Sequence, residues 1–381
     1  MAFLLDIELA VPEYAVSNET LVDFYSKALT SKGEKPIKQK LNFLSEKTKI
    51  QKRYSCIPDF SMSNYELFTE QDFDQSVERR TAVYKEKIMP LASKAIDNLL
   101  TKTKVKPQEI THLISVSCTG VFAPGMEFLL SEYFGLQHTE KLALNFLGCY
   151  AAIKALKQAK FIADSDPEAC VLIICAELCS LHFTPSVLDE DIVANLLFSD
   201  GAAATFVCGN KSKLIANKLV LNIDAIGTSY IPNTLELMTW NISSTAFKMY
   251  LNRNIVNAIK DNIYPVVSNF LNDEKPDYWA IHPGGVRIVQ AVKESLNLTQ
   301  SDIDASLHVL QQYGNMSSPT ILFALKQIFE KLQIANERAS KKIFCCAFGP
   351  GLSVEMIGFS SVNKMNQDEL NHSKLRHAIE S

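Results

Sequence analysis

Short apolar runs alternate with amphipathic stretches along this chain of 381 residues, and the alternation passes through it twice. In the first half His112–Ser117, Leu142–Phe146, Val171–Ala176 and Ala202–Val207 read as strands, with Leu142–Phe146 short and buried. Tyr150–Ala163 reads as a helix, because Ile153, Leu156, Ala159 and Ala163 recur at helical spacing. In the second half Trp279–His282 and His308–Gln311 read as strands, with helices through Ile288–Leu296 and from Pro319 to Leu332. Ile343–Ala347 and Leu352–Phe359 read as a closing hairpin. Strands alternating with helices predict α/β layers around buried sheets. The doubled rhythm predicts two similar halves, 1–220 and 221–381, although no letter-for-letter repeat relates them.

Gly and Pro are spread evenly, with no low-complexity linker. A formal net charge of −4 argues against a general nucleic-acid grip. No apolar run reaches the ~18 residues of a spanning helix; the nearest, Val171–Leu181, is interrupted by Glu177. The nine cysteines hold no CxxC pair matched to a second pair or to histidines, so no metal site is expected. Met1–Pro12 carries Asp6 and Glu8 and no basic leader, which argues against secretion and a disulfide framework. The expectation is a soluble cytoplasmic protein with reduced thiols and no membrane span. The polar tail from Asn363 to Ser381 is expected to fray.

Four local signals carry chemistry. In Asn145-Phe-Leu-Gly-Cys149-Tyr-Ala-Ala a strand ends, a glycine permits a turn, and a helix begins at a cysteine. Unpaired N–H groups and the dipole at a helix start favour a thiolate, the nucleophilic form; a buried inert thiol is the competing reading. His282, in Ile281-His282-Pro-Gly-Gly285, ends a strand and either overlooks a site or is satisfied in the core. Asn315, in Tyr313-Gly-Asn315-Met-Ser-Ser318-Pro, follows the next strand and either caps a helix or faces the same site. Ala347-Phe348-Gly349-Pro-Gly351 is a rigid turn, which by itself is only a turn or the wall of a site. The basic stretch Lys35–Arg53, with Ile37, Leu41 and Leu44 at helical spacing, is either a solvated helix face or a dock for an anionic ligand.

Taken in order, these motifs resemble the type III polyketide synthases, the chalcone synthase-like branch of the thiolase superfamily. The resemblance runs from the basic helix to Phe359. It implies a thiolase-like fold of two similar halves in αβαβα layers. It also implies that Cys149 carries an acyl group as a thioester, that His282 holds the sulfur as a thiolate in an ion pair, and that His282 and Asn315 hold the thioester carbonyl of malonyl-CoA while it loses carbon dioxide. The substrates would be an acyl-CoA starter and malonyl-CoA, with no metal or organic cofactor. Phe198 and Phe247 match two aromatic gates, with plain core packing the competing reading. Lys40 and Lys47 match coenzyme A contacts; Phe43 stands where plant members have Arg, with Lys49, Lys52 and Arg287 as nearby candidates.

Plant chalcone synthases carry hydroxyls where this chain has Cys118, beside Thr119, and Cys179 and His182. These runs resemble the bacterial alkylpyrone and alkylresorcinol synthases, which implies a fatty acyl starter; Cys118 and His182 are passive wall residues unless one has a chemical role. Val121–Gly125 matches a segment that reaches a partner subunit, so a homodimer is expected, with a shorter reach because Ala123 stands where Met is common. The competing expectations are a single-condensation enzyme like ketoacyl synthase III and a silent homologue acting as a binding partner. A hydroxymethylglutaryl-CoA synthase is disfavoured because no Glu base can be placed near Cys149.

Overall fold

The first half of the chain runs β1 (Ala2–Ala10), β2 (Tyr14–Ser17), α1 (Asn18–Ser31), α2 (Lys38–Thr48), β3 (Lys52–Ser55), α3 (Val77–Thr103), β4 (His112–Ser117), α4 (Met126–Phe134), β5 (Glu140–Asn145), α5 (Ala151–Ser165), β6 (Cys170–Leu178), α6 (Asp189–Leu197) and β7 (Asp200–Gly209). The second runs β8 (Leu219–Tyr230), β9 (Met238–Ile242), β10 (Phe247–Leu251), α7 (Ile255–Leu271), β11 (Tyr278–Ile281), α8 (Val286–Ser295), α9 (Gln300–Tyr313), α10 (Thr320–Ala335), β12 (Lys342–Gly349) and β13 (Ser353–Asn363). This is a computed structural model that describes residues 1–35, 37–335 and 339–364; the rest of the polar tail, 365–381, lies outside the described residues.

The halves share one pairing pattern. In the first, β4 runs parallel to β6, β6 antiparallel to β7, and β7 antiparallel to β1. In the second, β11 runs parallel to β12, β12 antiparallel to β13, and β13 antiparallel to β8. The ladder order is β11-β12-β13-β8-β1-β7-β6-β4-β5. Among the described residues, the ladder crosses between the halves only at Phe3–Asn222 and Leu4–Leu221, so it behaves as two sheets hinged at one edge; a separate parallel bridge joins Phe198 to Asn315. Helices α5 and α10 fill the space between them: α5 packs on β6 and on β13, and α10 on β1 and on β12. One apolar cluster occupies this middle layer and two others lie on the outer faces, beneath α3 and beneath α7 and α8. Helix, sheet, helix, sheet, helix is the layered thiolase-like architecture.

Two expected strands need correction. His308–Gln311 lies inside α9, whose buried Ile303, Ser306, Val309 and Leu310 recur at helical spacing. A two-residue apolar pair cannot by itself distinguish the two periods. The strand expected at Leu142–Phe146 ends at Asn145 and is the sheet's outer strand, with Leu142 exposed. All nine cysteines are free and buried. Among the described residues no helix is long and apolar enough to cross a membrane.

One buried ion pair ties the middle layer to the second sheet. Lys157 of α5 donates to the Glu355 carboxylate of β13, and Lys154 approaches the other oxygen at 2.7 Å. Glu355 is fully buried, so removing its partner strands a charge. Lys157→Met is expected to cost about 3 kcal/mol in chemical denaturation; a loss under about 0.5 kcal/mol, the range of an ordinary surface substitution, would show that Lys154 alone suffices.

Candidate active site

The chain leaves β5 through Phe146 (φ 63°) and Gly148 (φ 89°) and enters α5 just after Cys149. A side chain at Gly148 would bring its Cβ within 2.6 Å of Pro350 Cδ, and one at Gly349 within 2.3 Å of the Tyr150 ring. Those two glycines let the Phe348–Gly351 turn of the second half press against the elbow that carries Cys149. The Gly148 N–H donates to Cys118 Sγ at 3.0 Å, which fixes the elbow from the other side. No side-chain hydrogen bond caps the start of α5 among the described residues; there the Ala151 N–H donates to the Gly148 carbonyl and the Ile153 N–H to the Tyr150 carbonyl, both at 3.0 Å, and the positive end of the helix dipole lies beside Cys149.

His282 follows directly on β11, where its N–H donates to the Cys346 carbonyl at 2.8 Å. Neither ring nitrogen has a hydrogen-bond partner among the described residues, although the ring is buried. Asn315 follows helix α9 rather than a strand. Its backbone N–H donates to the Leu197 carbonyl at 3.0 Å, and its Oδ1 accepts the Ser317 N–H at 2.8 Å. With the oxygen held there, the Nδ2 donors face the other way, toward Cys149. Cys149, His282, Asn315 and Phe348 all border one outer cavity of about 940 Å³.

Burial pushes the Cys149 thiol up to about 11, against the pull of the Ser317 and Asn315 side chains, and drives the His282 imidazolium down to about 3. Each charge alone is therefore costly: burial favours the thiol over the thiolate at Cys149 and the neutral ring over the imidazolium at His282.

An inner cavity of about 80 Å³ lies beyond, bordered by Cys118, Thr119, Cys179, His182, Trp240 and Phe247. Phe198 borders both cavities. Phe247 is buried and borders the inner one only; its ring meets Phe146 edge-on at 5.5 Å. Beneath this wall lies Glu177, fully buried and read in the sequence only as an interruption. It corrects the expectation that no Glu can be placed near Cys149. Its carboxylate accepts from Cys118 N at 2.8 Å, Thr119 Oγ1 at 2.8 Å, Ser117 Oγ at 3.3 Å and Ser318 Oγ. With its lone pairs so engaged it organises the wall rather than serving as a free base. The signal was present: a lone carboxylate in an otherwise apolar strand must find partners.

Models of the N-terminal and C-terminal domains of chalcone and stilbene synthases match residues 1–211 and 222–363. The chain belongs to the chalcone and stilbene synthase family. It is a type III polyketide synthase, an acyltransferase of the condensing type. Two Arabidopsis thaliana proteins, type III polyketide synthase A and type III polyketide synthase B, are each 28% identical to it. The first aligns over 365 residues, 93% of this chain and 91% of the relative; the second over 371 residues, 93% of each. The crystal structure of PKS-I from the brown alga Ectocarpus siliculosus superposes with a TM-score of 0.87 at 25% identity, covering 95% of this chain and 98% of that one.

The mouth of this synthase's outer cavity holds Lys47, Arg253 and Arg287. Lys40 does not border it; Lys40 pairs with Asp189 and donates to the Val187 carbonyl at 3.1 Å. Of the other candidates, Lys49 ends α2 and Lys52 lies over the Tyr54 ring, both away from the cavity lining. Arg253 was not singled out in the sequence, because an isolated Arg in a polar loop carries no local mark.

If His282 takes the thiol proton, His282→Gln should move the pH midpoint of Cys149 alkylation by iodoacetamide upward by about one unit or more, since a unit corresponds to ~1.4 kcal/mol of lost pairing. An unmoved midpoint would remove His282 from activation of the sulfur.

Proposed function

We propose that this synthase loads a fatty acyl group from coenzyme A onto Cys149 and extends it with malonyl-CoA, and that the product closes to an alkylpyrone or alkylresorcinol. The observation that carries the reading is the pairing of donors beside the sulfur: the Asn315 amide, turned inward by its bond to Ser317, and the unpartnered His282 ring. As the Cys149 proton passes to His282, the thiolate attacks the starter thioester and coenzyme A leaves. Malonyl-CoA then places its thioester oxygen against the same two donors. When its carboxylate departs as carbon dioxide, the electron pair moves onto that oxygen, where His282 and Asn315 stabilise the enolate. The enolate carbon attacks the acyl thioester, a carbon–carbon bond forms, and the Cys149 thiolate is released. The departing carboxylate supplies the electron pair, so the cycle draws on no metal or organic cofactor.

The starter class is supported by the inner wall, where Val16, Leu21, Phe60 and Phe183 join Phe247. Its 80 Å³ gives water-sized groups about six places at 10–15 Å³ each, suiting the first carbons of an aliphatic chain. Lys47, Arg253 and Arg287 are suited to coenzyme A phosphates, with Lys40 reaching them only by leaving Asp189. Exposed Val121, Phe128, Tyr133 and Leu142 lie on or beside α4 and the outer strand β5, and suit the face of a homodimer. A cytoplasmic location fits a chain whose buried thiols are all free.

A series of aliphatic and aromatic acyl-CoAs, each with malonyl-CoA and with products read by mass spectrometry, tests the starter class. Aliphatic starters should have the highest kcat/KM and yield pyrones or resorcinols, and Cys149→Ser should yield neither; preference for aromatic starters would overturn the fatty acyl reading. Asn315→Ala should lower carbon dioxide release from malonyl-CoA by about 100-fold, the usual loss for one oxyanion donor. Release at the wild-type rate would take Asn315 out of that role.

A further inference from the structure

The β9–β10 hairpin carries Phe247 but pairs with no other strand among the described residues: it forms a separate two-stranded sheet. Its height above the inner cavity therefore depends on other attachments. At its turn the Ser244 carbonyl accepts the Val77 N–H at 3.0 Å. The remaining polar ties converge on Cys118 and Thr119. The Trp240 indole N–H donates to the Cys118 carbonyl at 2.9 Å. His182 sits between Thr119 and the hairpin, with Nε2 2.7 Å from the Thr119 carbonyl and Nδ1 3.1 Å from the Phe247 N–H. A carbonyl only accepts and an N–H only donates, so the ring is the neutral Nε2–H tautomer. Burial holds the imidazolium down to about 3, so the bridge persists at neutral pH. The same ring stacks on Phe247, centroids 4.5 Å apart.

We propose that His182 is a positioning residue that sets the height of the Phe247 gate over the inner cavity and thereby the length of the chain this synthase builds, a proposal that rests on reading Phe247 as a gate. The line of contacts runs from Phe247 through His182 to Thr119, and from its neighbour Cys118 to Gly148 in the Cys149 elbow. It is a continuous spacer between gate and nucleophile. No chemical step is assigned to the imidazole, because both nitrogens are occupied by backbone groups.

His182→Leu leaves the Phe247 N–H and the Thr119 carbonyl without this partner, whereas His182→Asn keeps an acceptor near the Nδ1 position. The experiment reads two quantities on the full-length protein with hexanoyl-CoA and malonyl-CoA: hydrogen exchange at the Phe247 amide, and the proportion of products by number of malonyl units, which is independent of total rate. The expected result is about 10-fold or faster exchange and a shifted product ratio in His182→Leu, with both retained in His182→Asn. Trp240→Phe, which keeps the ring and loses the donor, should shift the ratio in the same direction. Should His182→Leu fail to fold, His182→Gln replaces it, keeping the Thr119 donor and losing the Phe247 acceptor. A wild-type product ratio in the Leu or Gln variant, whatever the exchange rate, overturns the proposal. Phe247→Leu separates the two readings: if it too keeps the wild-type ratio, the gate reading falls and takes this proposal with it; if it alone shifts the ratio, only the role of His182 falls.

Discussion

The close approach of two backbone turns, one from each half, is the constraint on which the site depends. Gly148 and Gly349 leave no room for a side chain, and the Phe348–Gly351 turn rests on the elbow that carries Cys149. That contact lets the end of β11 and the start of α10 converge on the sulfur from the second half while α5 presents it from the first. The middle layer supports the geometry, since α5 and α10 both pack against both sheets. The pair Lys157–Glu355 locks α5 onto the second sheet within that layer.

Burial then governs the electrostatics. It raises the thiol, lowers the imidazolium and makes each isolated charge unfavourable, so the charges that do occur are either paired or saturated with donors. Glu177 is the saturated case, ringed by Cys118, Thr119, Ser117 and Ser318. His182 is the neutral case, held by two backbone groups. The contrast with His282 is informative: both histidines border a cavity, and only the ring of His282 has nitrogens without a hydrogen-bond partner among the described residues.

Much of the fold was legible because period and length are local properties. The runs at β4, β6, β7, β11 and the β12–β13 hairpin announced themselves through apolar residues bounded by turns. His308–Gln311 misled because four residues are too few to separate a strand from a stretch of helix, and its helical context came from Ile303 and Ser306 upstream. In the site, Cys149, His282, Asn315 and Phe348 stood out because each sits in a motif whose turn chemistry is written in adjacent residues. The pairing of Lys40 was not legible for the opposite reason: its ion-pair partner Asp189 is distant in sequence, and a charge run carries no record of which members are already paired.

The sequence by itself determined the elements whose hydrophobic period is clear and the motifs that carry Cys149, His282 and Asn315, because backbone propensity and hydrophobic period act over a few residues. Only the tertiary structure decided which polar groups meet. Trp240 reaches Cys118 across 122 residues, His182 reaches Phe247 across 65, and Ser318 reaches Glu177 across 141. Hydrogen bonds of that span follow from how the layers stack, and no local pattern encodes them.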